Sequence, residues 1–192
     1  KFDGEGLTLV ALKQSPHGID LGPLQPRLPE LLATKNQRIN IAPDIITADL
    51  TRLKAALDKG PGDHMLLIGR RHIRDMNSWL HNLNNYARGK NRCTLQIHPQ
   101  DAQRIGLTAA GMARITSRVG EFEAEVAITD SIMPGVVSLP HGFGHNYMDT
   151  QQSVASSITP GISANDLVDD NEMDLPSGTS VVNGVPVSVV AA

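Results

Sequence analysis

The sequence predicts a mostly β protein with short helices, and three features carry that prediction. Apolar residues fall in short runs or alternations, at Met65 to Ile68, Cys93 to Ile97, Val136 to Leu139 and Val185 to Val190, each of strand length. Turn signals lie between or beside them at Val119-Gly120, Pro134-Gly135 and Asn183-Gly184. Only one stretch, Ala48 to Lys59, carries a secure helical pattern. Many short strands expose many edges, and a closed or partly closed barrel is the natural way to hide them.

The 192 residues are 40% hydrophobic and 19% charged, which suits one globular domain or one domain with an extended lead-in. Aromatic residues make up 3%, with Trp79 the sole tryptophan, so the core must rest on Leu, Ile, Val and Ala. No apolar run nears the roughly 18 residues of a membrane span and no secretory signal opens the chain, so a soluble, cytoplasmic protein with no membrane partner is expected. Lys1 in place of Met, with no start signal through Gly6, reads as a piece of something longer. Cys93, the single cysteine, can close no internal disulfide and reads as a small apolar strand residue. Charge is sharply divided. Residues 1–118 hold all 17 Lys and Arg against 10 acids, whereas residues 119–192 hold the other 10 acids and no Lys or Arg. An acidic third and few aromatics argue against a nucleic-acid partner; internal pairing or a local anion site fits better.

In chain order, Leu7 to Leu12 reads as a strand. Pro16, Gly18, Gly22, Pro23, Pro26 and Pro29 forbid a long helix over residues 13–30, and Ile19, Leu21, Leu24 and Leu28 suit an ordered loop laid over another surface. Arg38 to Ala42 reads as a short strand ended by Pro43. Thr47 can cap the helix Ala48 to Lys59, which places Leu50, Leu53 and Leu57 on one face and stops at Gly60-Pro61-Gly62.

Met65-Leu66-Leu67-Ile68 then halts at Gly69 and gives way to Arg70, Arg71, His72 and Arg74 before the first acid, Asp75. A buried strand that empties into a basic turn suits phosphate or carboxylate, because guanidinium pairs with both and glycine lets the backbone approach a ligand. A solvated basic surface loop is the plain alternative. Met76, Trp79, Leu80, Leu83 and Ala87 recur at helical spacing, but Asn77, Asn82, Asn84 and Asn85 favour caps and turns, so an irregular loop with at most a short helix is expected.

Cys93 to Ile97 alternates as a strand, and Pro99 to Gly106 has proline at the first turn of a short helix and glycine at its end. With Val119-Gly120 as the loop of a hairpin, Arg118, Thr116 and Arg114 face Glu121, Glu123 and Glu125, and Ser117, Ile115 and Ala113 face Phe122, Ala124 and Val126. The glutamates are thereby structural, not catalytic. Pro140-His141-Gly142-Phe143-Gly144-His145 closes the strand Val136 to Leu139 with a glycine-rich loop, and residues 146–160 read as polar and mobile. Val181-Val182 and Val185 to Val190 read as final strands joined at Asn183-Gly184.

Histidines 141 and 145 are four apart, but Gly142 and Gly144 disfavour the helix that would face both toward a zinc ion. No nucleophile elbow is present, and the strand-Gly-Arg turn lacks a GxGxxG pattern.

Five segments in order carry a family resemblance: Ile68-Gly69-Arg70, its Asn/Ser/Trp/His loop, IHPQDAQRIGL at 97–107, ITSRVGEFEAEVAITDSIMPGVV at 115–137, and ISANDLVDDNEMDLPSG at 162–178. Together they resemble the molybdopterin dinucleotide-binding domain, the C-terminal domain of molybdenum and tungsten oxidoreductases of the dimethyl sulfoxide reductase type, over about residues 62–190. HGIDLGPLQPRLPELL at 17–32 resembles the segment that joins this domain to the catalytic domains before it. The resemblance implies a double-psi β-barrel at 62–192 behind a lead-in at 1–61 with one helix. It also implies a bound molybdopterin guanine dinucleotide, with molybdenum or tungsten, used in two-electron redox chemistry. Carried over by position, Gly69, Arg70, Arg71, His72, Asn77, Ser78, Trp79, Leu80, His81 and Asn82 contact the pterin and phosphates, His141 and Gly142 line the same pocket, and Asn165 bonds the pterin.

The metal ligand and any iron–sulfur cluster are implied to lie in upstream catalytic domains of the parent chain, which are its implied partner alongside an unknown electron-transfer partner. This piece alone is then not catalytic. The wording GRRHIRDMNSWLHN is nearest to formate dehydrogenase-like oxidoreductases. Two departures stand out: Ala109-Ala110-Gly111-Met112 replaces the usual glycine-aspartate turn, and residues 146–160 are untypical. The alternative is a stand-alone double-psi barrel that serves as an interaction module, with Arg70, Arg71 and Arg74 recognising carboxylates and no redox role.

Overall fold

A computed structural model of the chain describes residues 7–60 and 62–192; Pro61 of the expected helix stop lies outside them. The chain divides into two compact units, Lys1–Asp44 and Ile45–Ala192.

In the first unit, residues expected as strand form a helix, α1 (Leu9–Gln14), because the Thr8 hydroxyl accepts the Ala11 N–H and caps it. A four-residue apolar run fits either structure, and the cap decides. Leu21, Leu24 and Leu28 of the proline-rich loop are exposed. No strand forms over residues 38–42, where the amide oxygens of Asn36 and Asn40 accept the N–H groups of Arg38 and Ala42 and fold the chain into Asx turns.

The short α2 (Asp44–Thr47) begins at the last residue of the first unit, and in the second unit helix α3 runs Leu50–Lys59 and ends at Gly60, φ +72°. It starts two residues later than expected. Asp49 holds the N-cap position but gives its carboxylate to Arg52 instead of to the helix N–H groups. The Leu50, Leu53 and Leu57 face is exposed.

The barrel follows as β1 (Met65–Arg70), α4 (Asn84–Ala87), β2 (Thr94–Ile97), α5 (Pro99–Ile105), β3 (Met112–Thr116), β4 (Glu121–Ile128), β5 (Val136–Pro140), α6 (Ser153–Ile158), a 3-10 turn at Ala164–Leu167, the small hairpin β6 (Met173–Asp174) and β7 (Thr179–Ser180), and β8 (Val185–Ala191). Six strands close in the order β1-β5-β2-β4-β3-β8. Strand β1 runs parallel to β5 and β2 parallel to β4, whereas the other four neighbouring pairs are antiparallel. Two parallel pairs interleaved in one closed sheet make the double-psi β-barrel. Alternation fills its interior: Val185, Val187 and Val189 of β8 point inward with Leu67, Leu95, Ile97, Ile115, Val126, Val137 and Leu139.

The β3–β4 hairpin keeps the expected faces but not the expected partners. Thr116 pairs with Glu121, Ile115 with Phe122 and Arg114 with Glu123, a register slipped by two residues from the one that a Val119-Gly120 loop gives. Ser117 explains the shift, since its hydroxyl accepts both the Val119 and Gly120 N–H groups and builds a four-residue turn. A slip of two preserves which side each residue faces. Arg118, released from Glu121, pairs with Asp169.

Two further expectations change. Residues 146–160 contain α6, with Ala155 fully buried. Val181-Val182 is not a strand, and Asn183-Gly184 joins no hairpin; Asn183 instead accepts the Gly69 N–H at 2.7 Å, and Gly184 donates to the Leu67 carbonyl.

Candidate functional site

Because β1 and β5 are parallel, with Gly69 beside Leu139 and Arg70 beside Pro140, the chain leaves both strands at one mouth of the barrel. The basic turn and the glycine-rich loop therefore meet there. Asn77 is where they join. Its side-chain oxygen lies 2.6 Å from Arg71 Nη1 and 3.0 Å from His141 Nε2, and both donate to it. Asn77 itself sits in the left-handed region, φ +61°, as asparagine tolerates. Gly142, φ +87°, is packed so closely beneath that a Cβ on it would stand 2.4 Å from the Asn77 carbonyl oxygen.

Two clefts open on either side of His141-Gly142, and Ala164 and Asn165 of the 3-10 turn line both. The first, about 340 Å³, is walled by Leu67, Ile68, Gly69, Val182 and Asn183. It is mostly apolar, with amide groups at its rim. The second, about 500 Å³, is walled by Ser78, Phe143, His145, Gln152 and Ser163. Asn165 is exposed between them.

Of the residues that the resemblance singles out, Gly69, Asn77, Ser78, His141, Gly142 and Asn165 line these clefts, with Arg71 bonded to Asn77 beside them. The remaining expected contacts are placed elsewhere. Arg70 turns to main-chain carbonyls: Nη1 donates to the Ser138 carbonyl at 2.6 Å and Nη2 to the Thr94 carbonyl at 2.7 Å, with Arg92 O at 3.1 Å. Its guanidinium stitches β1 to β5 and β2, and burial lowers its pKa. Asn82 lines neither cleft and uses its side-chain oxygen to accept the Val154 and Ala155 N–H groups at the start of α6. His81 is fully buried. His72 takes the Arg74 N–H within its own turn, Leu80 is half-buried there, and Trp79, 76% exposed, lines neither cleft.

Beneath the second cleft lies a buried polar chain. His81 Nδ1 is 2.8 Å from His145 Nε2, and His81 Nε2 is 3.2 Å from Asp75 Oδ1, which also accepts from Arg92 Nε at 2.9 Å. Burial pushes the pKa of both imidazoles down. Sequence reading missed Asn183, taken for a turn residue, and His145, considered only as a zinc ligand. Among the described residues no group of His, Cys, Asp and Glu side chains is placed to hold a metal ion.

Residues 65–186 match the family model described as "Molydopterin dinucleotide binding domain". The chain belongs to the molybdopterin dinucleotide-binding domain family. Its similarity to a tetrathionate reductase polypeptide of Salmonella typhimurium is 31% identity over 109 residues, 48% of this chain and 11% of that protein. To ArrA, the molybdopterin-containing polypeptide of the arsenate respiratory reductase of Chrysiogenes arsenatis, it is 27% identical over 92 residues, 47% of this chain and 11% of the relative. The chain thus spans about a tenth of the curated relatives it matches. Among solved structures, acetylene hydratase from Pelobacter acetylenicus shares the fold, with a TM-score of 0.57 at 16% identity over 75% of this chain and 20% of that one.

The clefts fit the group for which the family is named. Gly69 is exposed and leaves bare backbone at the cleft wall. Asn77, Asn165, Asn183 and Ser78 supply groups that can both donate and accept, which suits a heterocycle edge. Gln152 Oε1 is buried at the second cleft without a hydrogen-bond donor, a group that a ligand can satisfy.

Proposed function

We propose that this domain holds a guanine dinucleotide arm of a molybdopterin cofactor, molybdenum- or tungsten-bearing, inside a larger multi-domain oxidoreductase. The observation that carries the reading is the convergence of His141, Gly142 and Asn165 on two adjoining clefts, with Arg71 bonded to the cleft residue Asn77, in a chain of this family. Gly69, Arg71, Asn77, Ser78, His141, Gly142 and Asn165 are the residues that hold it. Bound, the group supplies two-electron redox chemistry at its metal; the protein supplies binding and orientation. Arg71 offers charge to a diphosphate, and Asn77 keeps that guanidinium and the His141 ring in place. The upstream catalytic domains of the same parent chain are the partner. Family membership and two relatives that belong to reductases favour this over a stand-alone interaction module with no redox role.

The test is the melting temperature of the chain titrated with GDP. At a hundred times its dissociation constant GDP should add about 2.7 kcal/mol of stability. Arg71→Ala and Asn77→Ala should each weaken binding roughly tenfold, about 1.4 kcal/mol. CDP should bind more weakly than GDP if the guanine form is native. No stabilisation by millimolar GDP would count against the reading. The formate dehydrogenase-like assignment rests on GRRHIRDMNSWLHN and is decided by assaying the full-length enzyme for formate oxidation beside tetrathionate and arsenate reduction.

A further inference from the structure

The buried chain Asp75, His81 and His145 has no role in the reading above. Two facing imidazole nitrogens, His81 Nδ1 and His145 Nε2 at 2.8 Å, can share only one proton, so the pair has a direction. At the far end His81 Nε2 stands 3.2 Å from Asp75 Oδ1, off the line of a good hydrogen bond but within its electrostatic reach. A lone pair there would face a carboxylate, so Nε2 carries the proton and Nδ1 accepts. His145 Nε2 must then donate, and the lone pair of the His145 ring is on Nδ1.

His145 is 8% exposed and belongs to the wall of the second cleft. Among the described residues, the buried side-chain polar atoms without a partner are Asp75 Oδ2, His81 Nε2, Arg92 Nη2, Ser138 Oγ and Gln152 Oε1. His145 Nδ1 has no protein partner and is not one of them. It is therefore the end of the chain that solvent reaches.

We infer that Asp75 and His81 are positioning residues that fix His145 as a neutral hydrogen-bond acceptor in the second cleft, for an N–H group on the edge of a heterocyclic ligand. The inference rests on the cofactor reading above and adds to it an acceptor with a set direction. Two influences hold the pair neutral. Burial disfavours a charged ring, and Arg92 balances Asp75 so that the carboxylate does not draw a second proton into the pair. Arg70 and Cys93 also feel the Asp75 charge, with Arg70 tied to main-chain carbonyls and the Cys93 thiol pushed up by burial. Acid has one effect: a proton added at His145 Nδ1 turns the acceptor into a donor, and affinity for an N–H ligand falls.

The experiment is nitrogen NMR of histidine-labelled chain, alone and with 2-amino-4-oxopteridine as the probe. Free protein should show both rings protonated on Nε2 and bare on Nδ1 at neutral pH. Adding the pterin should move His145 Nδ1, and binding should weaken as pH falls below neutral. His81→Gln should preserve all of this, since its amide oxygen can accept from His145 and its nitrogen can donate to Asp75. His81→Leu should leave the His145 ring a mixture of tautomers; if it fails to fold, the wild-type and Gln spectra still decide. A His145 ring protonated on Nδ1 would overturn the inference, as would pterin that shifts Ser78 and Asn165 amides while His145 Nδ1 stays still. Pterin and GDP that move no cleft resonance would overturn the cofactor reading and this inference with it.

Discussion

The barrel strands and the turn that follows β1 are built on opposite terms. In the strands a side chain is placed by which face it occupies, and burial decides the outcome; in the turn it is placed by the hydrogen bonds it can reach. Arg70 and Arg71 stand on the boundary. Arg70, the last residue of β1, donates to main-chain carbonyls of β2 and β5, whereas Arg71, the first of the turn, donates to Asn77 at the clefts. Two identical side chains one residue apart thus meet main-chain carbonyls of the barrel and the cleft residue Asn77 respectively. A basic cluster is not a uniform anion site.

The largest effect should come from Arg70→Ala. It leaves the carbonyls of Ser138, Arg92 and Thr94 without their donor, and each costs about 1–3 kcal/mol if buried, so a loss of about 3 kcal/mol or more is expected in urea unfolding. Arg70→Lys should recover little, because an ammonium cannot span the same acceptors as a planar fork. If Arg70→Ala unfolds like wild type but loses GDP binding, the division between the two arginines is broken.

Next comes Gly142→Ala. A Cβ would stand 2.4 Å from the Asn77 carbonyl oxygen at a backbone φ of +87°, so strain and clash together should cost about 2–4 kcal/mol and show as a lower melting temperature. The pH dependence should be smaller and has a definite sign. His81 and His145 have folded pKa values below their unfolded ones, so the unfolded chain binds more protons as pH falls through about 6.5. Stability should be full above that value and decline below it toward the lowered folded pKa, with the decline reduced in His81→Gln.

The smallest effect sharpens the strand side. Ala110 adopts φ +62°, a conformation that suits glycine, so Ala110→Gly should raise stability by about 1 kcal/mol or less.

The same division explains what could be read in the sequence. Strands β1, β2, β5 and β8 follow from apolar runs and alternation, and helix α5 from Pro99 and Gly106, because these signals are local. The β3–β4 faces were legible for the same reason, but the register was not, since the Ser117 hydroxyl sets the turn and leaves no mark on the alternation. Helix α6 escaped notice because its N-terminal N–H groups are capped by Asn82, more than seventy residues earlier in the chain.

Gly69 and Arg71 were legible locally, as a strand emptying into a basic turn, whereas Ser78, His141, Gly142 and Asn165 were reached only through family motifs. The roles of Arg70, His81 and Asn82 were not, because a motif preserves residue types and cannot say which partner each side chain meets. Asn183 carried a hairpin signature and is used instead as an acceptor for Gly69.

The most direct measurement is an amide-resolved NMR titration of the chain with GDP. The account predicts shifts at Gly69, Asn77, His141, Gly142, Asn165 and Asn183, with the Ser117–Gly120 turn unmoved. Shifts confined to that turn or to α3, or none at saturating GDP, would contradict it.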